Sequence, residues 1–127
     1  MADVNRGARP LSPHATIYRW PSNAIMSIAH RITGVALAGA ALLVIWWFTA
    51  AAVSPAYFNW VNGILTCWSG DVILFGAMAA LWYHLVNGVR HLIWDTGAGF
   101  SDTAVTRSAI TGLILAVVLS IVTVVMM

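Results

Sequence analysis

The chain has 127 residues, of which 61% are hydrophobic and 8% charged, with no Lys, no Glu and a formal charge of +2. Soluble domains carry about 25% charged residues, so this composition excludes an ordinary water-soluble domain, and six scattered arginines without a basic run exclude a nucleic-acid partner. Cys67 is the single cysteine, so no intrachain disulfide can form.

Residues 1–21 are expected to form a polar N-terminal arm. Pro10 and Pro13 keep Arg9-Pro10-Leu11-Ser12-Pro13-His14 out of regular helix. Ile17, Tyr18 and Trp20 suit the headgroup layer. The apolar runs begin too late for a secretory signal, and the arm is short of the serines of a mitochondrial presequence. The expectation is an unprocessed bacterial inner-membrane protein.

Residues 22–127 read as a three-helix transmembrane domain, with helices at about 22–53, 71–94 and 106–127. Ile32 to Val53 is free of charge, and at 1.5 Å per residue it covers roughly 33 Å, enough for a hydrocarbon core of ~30 Å. Residues 54–70 are expected to be a loop. Ser54-Pro55 ends the first helix there, and Tyr57, Phe58, Trp60 and Trp68 form an aromatic belt. Asp71 suits the start of the second helix. Residues 95–106 form a polar turn containing Gly97, Gly99 and Asp102. Ser108 to Met127 carries no charge and reads as lipid-facing packing material. Four arginines lie on the arm and its junction with the first helix, and Arg90 and Arg107 flank the second turn. The 54–70 segment holds none, so the N-terminus is expected in the cytoplasm and the C-terminus outside.

The stretch from Leu81 to Asp95 places two histidines, an arginine and an aspartate at the end of an apolar span. Ionisable groups at membrane depth are costly and mark function. His84, Gly88, His91 and Asp95 share one helical stripe. By helical rise His84 lies about 16 Å from the cytoplasmic end of its helix and His91 about 6 Å. Two readings of His84 stand open: a hydrogen bond to a neighbouring helix, or ligation of iron through one ring nitrogen. Gly76, Ala80 and Gly88, on the same stripe, leave room for a flat cofactor such as haem. Covalent attachment of such a group is excluded, because no Cys-x-x-Cys-His run exists.

In the first helix Ser27, Arg31, Gly34 and Ala38 share a stripe, with His30 beside them. Arg31 either snorkels to the phosphates or, with Ser27, meets an oxygen-bearing ligand such as a haem propionate or a quinone carbonyl. By the same depth count His14 and His30 lie too near the surface to be the second axial ligand of a haem held by His84. His91, two turns away on the same helix, cannot reach the opposite face, so a second histidine would come from another chain. His14 and Arg90 read as interface residues, Cys67 as inert, and Trp46-Trp47 as a packing or interface pair.

Four motifs together resemble one family. They are Arg9-Pro10-Leu11-Ser12-Pro13-His14; Ile17-Tyr18; Ser27-Ile28-Ala29-His30-Arg31-Ile32-Thr33-Gly34; and His84-Leu85-Val86-Asn87-Gly88-Val89-Arg90-His91-Leu92-Ile93-Trp94-Asp95. The family is the cytochrome b556 type of succinate dehydrogenase anchor, the haem-binding membrane subunit of respiratory complex II. The resemblance spans nearly the whole chain, and Ala15 is a minor departure that touches no proposed ligand. It implies an all-α membrane protein whose three-helix bundle pairs with a second anchor subunit, with one haem b between them. It implies His84 as one axial ligand of the iron, the other histidine coming from the partner. It implies Ser27 and Arg31 at a ubiquinone pocket beside an iron–sulfur subunit, with a flavoprotein subunit oxidising succinate. His30, Arg31 and His91 fall near the haem propionates in that scheme. Asp95 is either a proton-delivery group at the rim or a solvent-facing carboxylate at a helix end. The other readings are an anchor of a fumarate-reducing quinol enzyme and a haem-less structural scaffold.

Overall fold

The computed structural model describes residues 17–127. The arm motif from Arg9 to His14 lies outside the described residues. Four helices follow in order: α1 (Ser22–Val53), α2 (Pro55–Leu65), α3 (Trp68–Asp95) and α4 (Asp102–Met126). Three of them, α1, α3 and α4, are long and apolar enough to cross a membrane. The protein is all-helical over the described residues, and α3 lies between α1 and α4, packed along both.

The expected loop at 54–70 is largely helix. Ser54 does stop α1, but the same residue caps the next helix. Its hydroxyl accepts from the Tyr57 amide at 3.2 Å, and Pro55 occupies the first helical turn, where its fixed φ is already helical and no amide is missed. A Ser-Pro pair therefore ends one helix and begins another. The same effect moves the start of α4 upstream of the expected position: Ser101 Oγ accepts from the Ala104 amide, and Asp102 lies in the first turn. The turn between α3 and α4 shortens accordingly. Gly97 and Gly99 carry it at φ of 83° and 80°, values that side chains with a Cβ rarely adopt.

Large apolar side chains hardly enter the interior. The buried hydrophobic residues among those described are Ala50, Val61, Ala109 and Ala116. In lipid, apolar contact gives helices no net drive to associate, so small residues and polar ties hold the bundle instead. Ala109, Gly112 and Ala116 are the buried residues of α4, and Gly112 lies against Val86 of α3. The third span is thus not lipid-facing all round. Trp82 Nε1 donates to Thr123 Oγ1 at 2.9 Å, joining α3 to α4. Tyr83 Oη donates to the Met26 carbonyl at 3.0 Å, joining α3 to α1. Trp46 Nε1 donates to Tyr57 Oη and Trp47 Nε1 to Asn62 Oδ1, at 2.7 and 3.1 Å. The tryptophan pair therefore pins α2 to the far end of α1.

Arg90 is a further tie rather than an interface residue. It is 7% exposed. Its Nε donates to Ser108 Oγ at 3.0 Å, and one terminal nitrogen donates to Asn23 Oδ1 and the Val105 carbonyl. The guanidinium also lies 4.1 Å from the Trp94 ring centroid, a cation–π distance. One side chain of α3 thereby fastens the starts of both α1 and α4.

Candidate functional site

The site forms where α1 and α3 cross. His30 and His84 stack with ring centroids 3.9 Å apart and planes 11° from parallel. His91 lies 5.0 Å from the His30 ring, tilted to it, and meets Trp94 edge-on at 5.2 Å. His30 is therefore at the level of His84, deeper than counting along α1 implies. Asn23, near the start of α1, meets Arg90 rather than the last residues of α3, so the two helix ends are not level. With their rings stacked in contact, His30 and His84 would not both hold one metal ion between them.

The polar contacts of His84 define its chemistry. Its Nδ1 lies 3.0 Å from the His30 carbonyl oxygen and 3.3 Å from Thr33 Oγ1. A carbonyl oxygen only accepts, so Nδ1 carries the proton. In the neutral ring the lone pair then sits on Nε2. An imidazole whose second nitrogen is held by a carbonyl is the usual arrangement of a metal-ligating histidine. Thr33 Oγ1 itself donates to the same His30 carbonyl at 2.9 Å.

Space at the crossing comes from α1. A Cβ at Gly34 would fall 2.9 Å from His84 Cε1, closer than nonbonded carbons approach. Gly88 lies against His30 instead, at an ordinary contact distance of 3.8 Å from a built Cβ. Gly76 and Ala80 continue along α3 as exposed and half-buried positions. His30 Nδ1 is buried without a hydrogen-bond partner among the described residues, a polar atom suited to a carboxylate or water supplied from outside them.

Ser27 is half-buried one turn before the stack, and Arg31 is exposed. They lie four residues apart, so they are neighbours on the α1 surface. Asp95 is the exposed last residue of α3. His14 lies outside the described residues. The structure thus brings His30, His84 and His91 together, with Ser27 and Arg31 beside them toward the N-terminal end of α1. Sequence reasoning missed Thr33 and the carbonyl of His30. The available signal was a hydroxyl three residues after a histidine, followed by glycine, on a helix destined to meet a deep imidazole.

Fold and site define a three-span helical membrane protein with a histidine cluster between its first two spans. Residues 5–124 match the family model for the succinate dehydrogenase/fumarate reductase transmembrane subunit, and the chain belongs to that family. It is similar to the succinate dehydrogenase cytochrome b556 subunit of Paracoccus denitrificans, 50% identical over 109 residues, which cover 86% of this chain and 84% of the relative. The cytochrome b556 subunit of Rickettsia bellii is 43% identical over 97 residues, covering 76% and 75%. The mitochondrial cytochrome b560 subunit of Sus scrofa is 40% identical over 118 residues, covering 89% and 68%.

Proposed function

We propose that this chain is the haem b- and quinone-binding membrane anchor of a succinate:quinone oxidoreductase. The observation that carries the reading is the state of His84: an Nδ1–H donated to a backbone carbonyl and a lone pair on Nε2, within a membrane-spanning helix. The names of its relatives, all cytochrome b subunits of succinate dehydrogenase, favour the succinate-oxidising direction over fumarate reduction.

His84 Nε2 would hold the iron from this side, and a histidine of a second anchor subunit would hold it from the other. The donor set fits: a lone-pair imidazole, a carbonyl behind it, a glycine that admits its ring, and a His30 Nδ1 that has no partner among the described residues. His30, Arg31 and His91 are the groups for the propionates. When bound, haem b supplies a one-electron store inside the bilayer. Arg31 and Ser27 act on the quinone, which takes up two electrons and two protons. The Ser27 hydroxyl donates a hydrogen bond to a quinone oxygen, and the Arg31 cation stabilises the negative charge that grows there. Asp95, exposed at the end of α3, is the candidate for proton entry. Electrons arrive from an iron–sulfur subunit docked at the cytoplasmic rim, and succinate is oxidised on a flavoprotein subunit that this chain does not replace. The complex sits in the bacterial inner membrane, with the N-terminus in the cytoplasm and the C-terminus in the periplasm.

The test is the reduced-minus-oxidised spectrum of the purified complex. The wild type should show a b-type haem, and His84→Leu should lose or displace it. A wild-type complex without that signal, or a His84→Leu complex indistinguishable from wild type, removes His84 as the ligand.

A further inference from the structure

We infer that Thr33 and the His30 carbonyl form a positioning pair that fixes the tautomer and electron donation of His84. This rests on the haem reading above. Three contacts carry it. The Nδ1–H of His84 points at the His30 carbonyl oxygen at 3.0 Å and lies 3.3 Å from the Thr33 hydroxyl. That hydroxyl donates its own proton to the same carbonyl at 2.9 Å. With its hydrogen so committed, Thr33 Oγ1 faces His84 Nδ1 with lone pairs only. Carbonyl and hydroxyl are thus two acceptors for one N–H.

The consequence is electronic as well as geometric. Acceptors on the outer N–H of a metal-bound imidazole raise its basicity and hold its ring angle. A more basic axial ligand favours the ferric over the ferrous iron, and second-shell hydrogen bonding is one of the levers that set a haem potential. Gly34 completes the device sterically. Because a Cβ there would meet His84 Cε1 at 2.9 Å, the ring reaches the two acceptors only over a residue without a side chain. Thr33 and Gly34 are adjacent in sequence, so one turn of α1 supplies both the hydrogen-bond partner and the clearance.

The experiment compares Thr33→Val, Thr33→Ser and Gly34→Ala in the whole purified complex. Haem content, the midpoint potential by redox titration and the low-spin ferric signal by electron paramagnetic resonance are measured. Thr33→Val is nearly isosteric and should keep its haem while the midpoint potential moves upward and the ferric signal shifts. Thr33→Ser restores the hydroxyl and should match the wild type. Gly34→Ala should reduce haem content or give a mixed-spin spectrum, although alanine favours the helix. A Thr33→Val complex with wild-type potential and signal overturns the inference, as does a Thr33→Ser complex that behaves like Thr33→Val. Should Thr33→Val not assemble, Thr33→Ala is read in the same way. If neither assembles, the hydroxyl serves the fold and the inference falls. A wild-type complex lacking b-type haem refutes the functional reading beneath it instead, so the two failures are distinguishable.

Discussion

His30 and His84 lie face to face across the α1–α3 crossing, 3.9 Å between centroids, but what binds His84 is the backbone of His30 and not its ring. The carbonyl that accepts from His84 Nδ1 survives any substitution at position 30 that keeps the helix. His30→Leu should therefore retain haem in the assembled complex. Its spectrum should be altered less than that of His84→Leu, which removes the proposed ligand itself. Haem content per flavin, measured on both variants, decides this.

Ser27 and Arg31 should separate two activities. Loss of a hydrogen bond to a developing charge costs about 1.5–3 kcal/mol, which is roughly ten- to a hundredfold in rate. Ser27→Ala is expected near the lower figure and Arg31→Leu near the upper, for succinate-driven quinone reduction. Succinate oxidation by a soluble artificial acceptor should persist at wild-type rate. Equal loss of both activities would point to failed assembly and remove these residues from the quinone pocket.

Arg90 should matter for stability. It donates to Ser108, Asn23 and the Val105 carbonyl while almost completely buried. Arg90→Ala is expected to lower stability by on the order of 1.5–3 kcal/mol, the range for hydrogen bonds to a charged group. Arg90→Lys should recover only part of this, because an ammonium cannot reproduce the planar fork or its stacking on Trp94. The midpoint of thermal inactivation in detergent, compared across the three proteins, checks both expectations.

Cys67 offers a test of orientation. It is exposed at the start of α3, and its thiol is held below its ordinary pKa, chiefly by the hydrogen bond with the Ser69 hydroxyl at 3.1 Å. The thiolate is the reactive form. A lowered pKa means that the thiolate fraction, and with it the alkylation rate, rises and levels off at lower pH than for a free cysteine. A membrane-impermeant maleimide should label Cys67 from the periplasmic side of intact spheroplasts. Labelling only in inside-out vesicles would reverse the proposed topology.

The spans were legible because they depend on composition and length alone: Ile32 to Val53 has no charge, and no water-soluble design explains so long a run. His84 was legible as a deep ionisable group for the same reason. The α2 helix was not, because Ser54-Pro55 is a stop signal that serves here as a start signal as well, and the contacts of Trp46 and Trp47 that hold α2 lie between helices. His30 was misplaced in depth because its level depends on how α1 slides against α3. Thr33 and Arg90 stayed hidden because their roles lie in contacts between helices, which no pattern within one helix reports.

The scarcity of large buried side chains sets how freely this protein can change. Ala50, Val61, Ala109 and Ala116 are the whole apolar interior of the described residues, so outward positions that no partner subunit covers would meet acyl chains, and those do not distinguish valine from leucine or isoleucine. Mutational drift should run almost unchecked over that surface. Intolerance should be confined to the few donors and acceptors that bolt one helix to the next, and to the small residues that let those helices come close enough to be bolted.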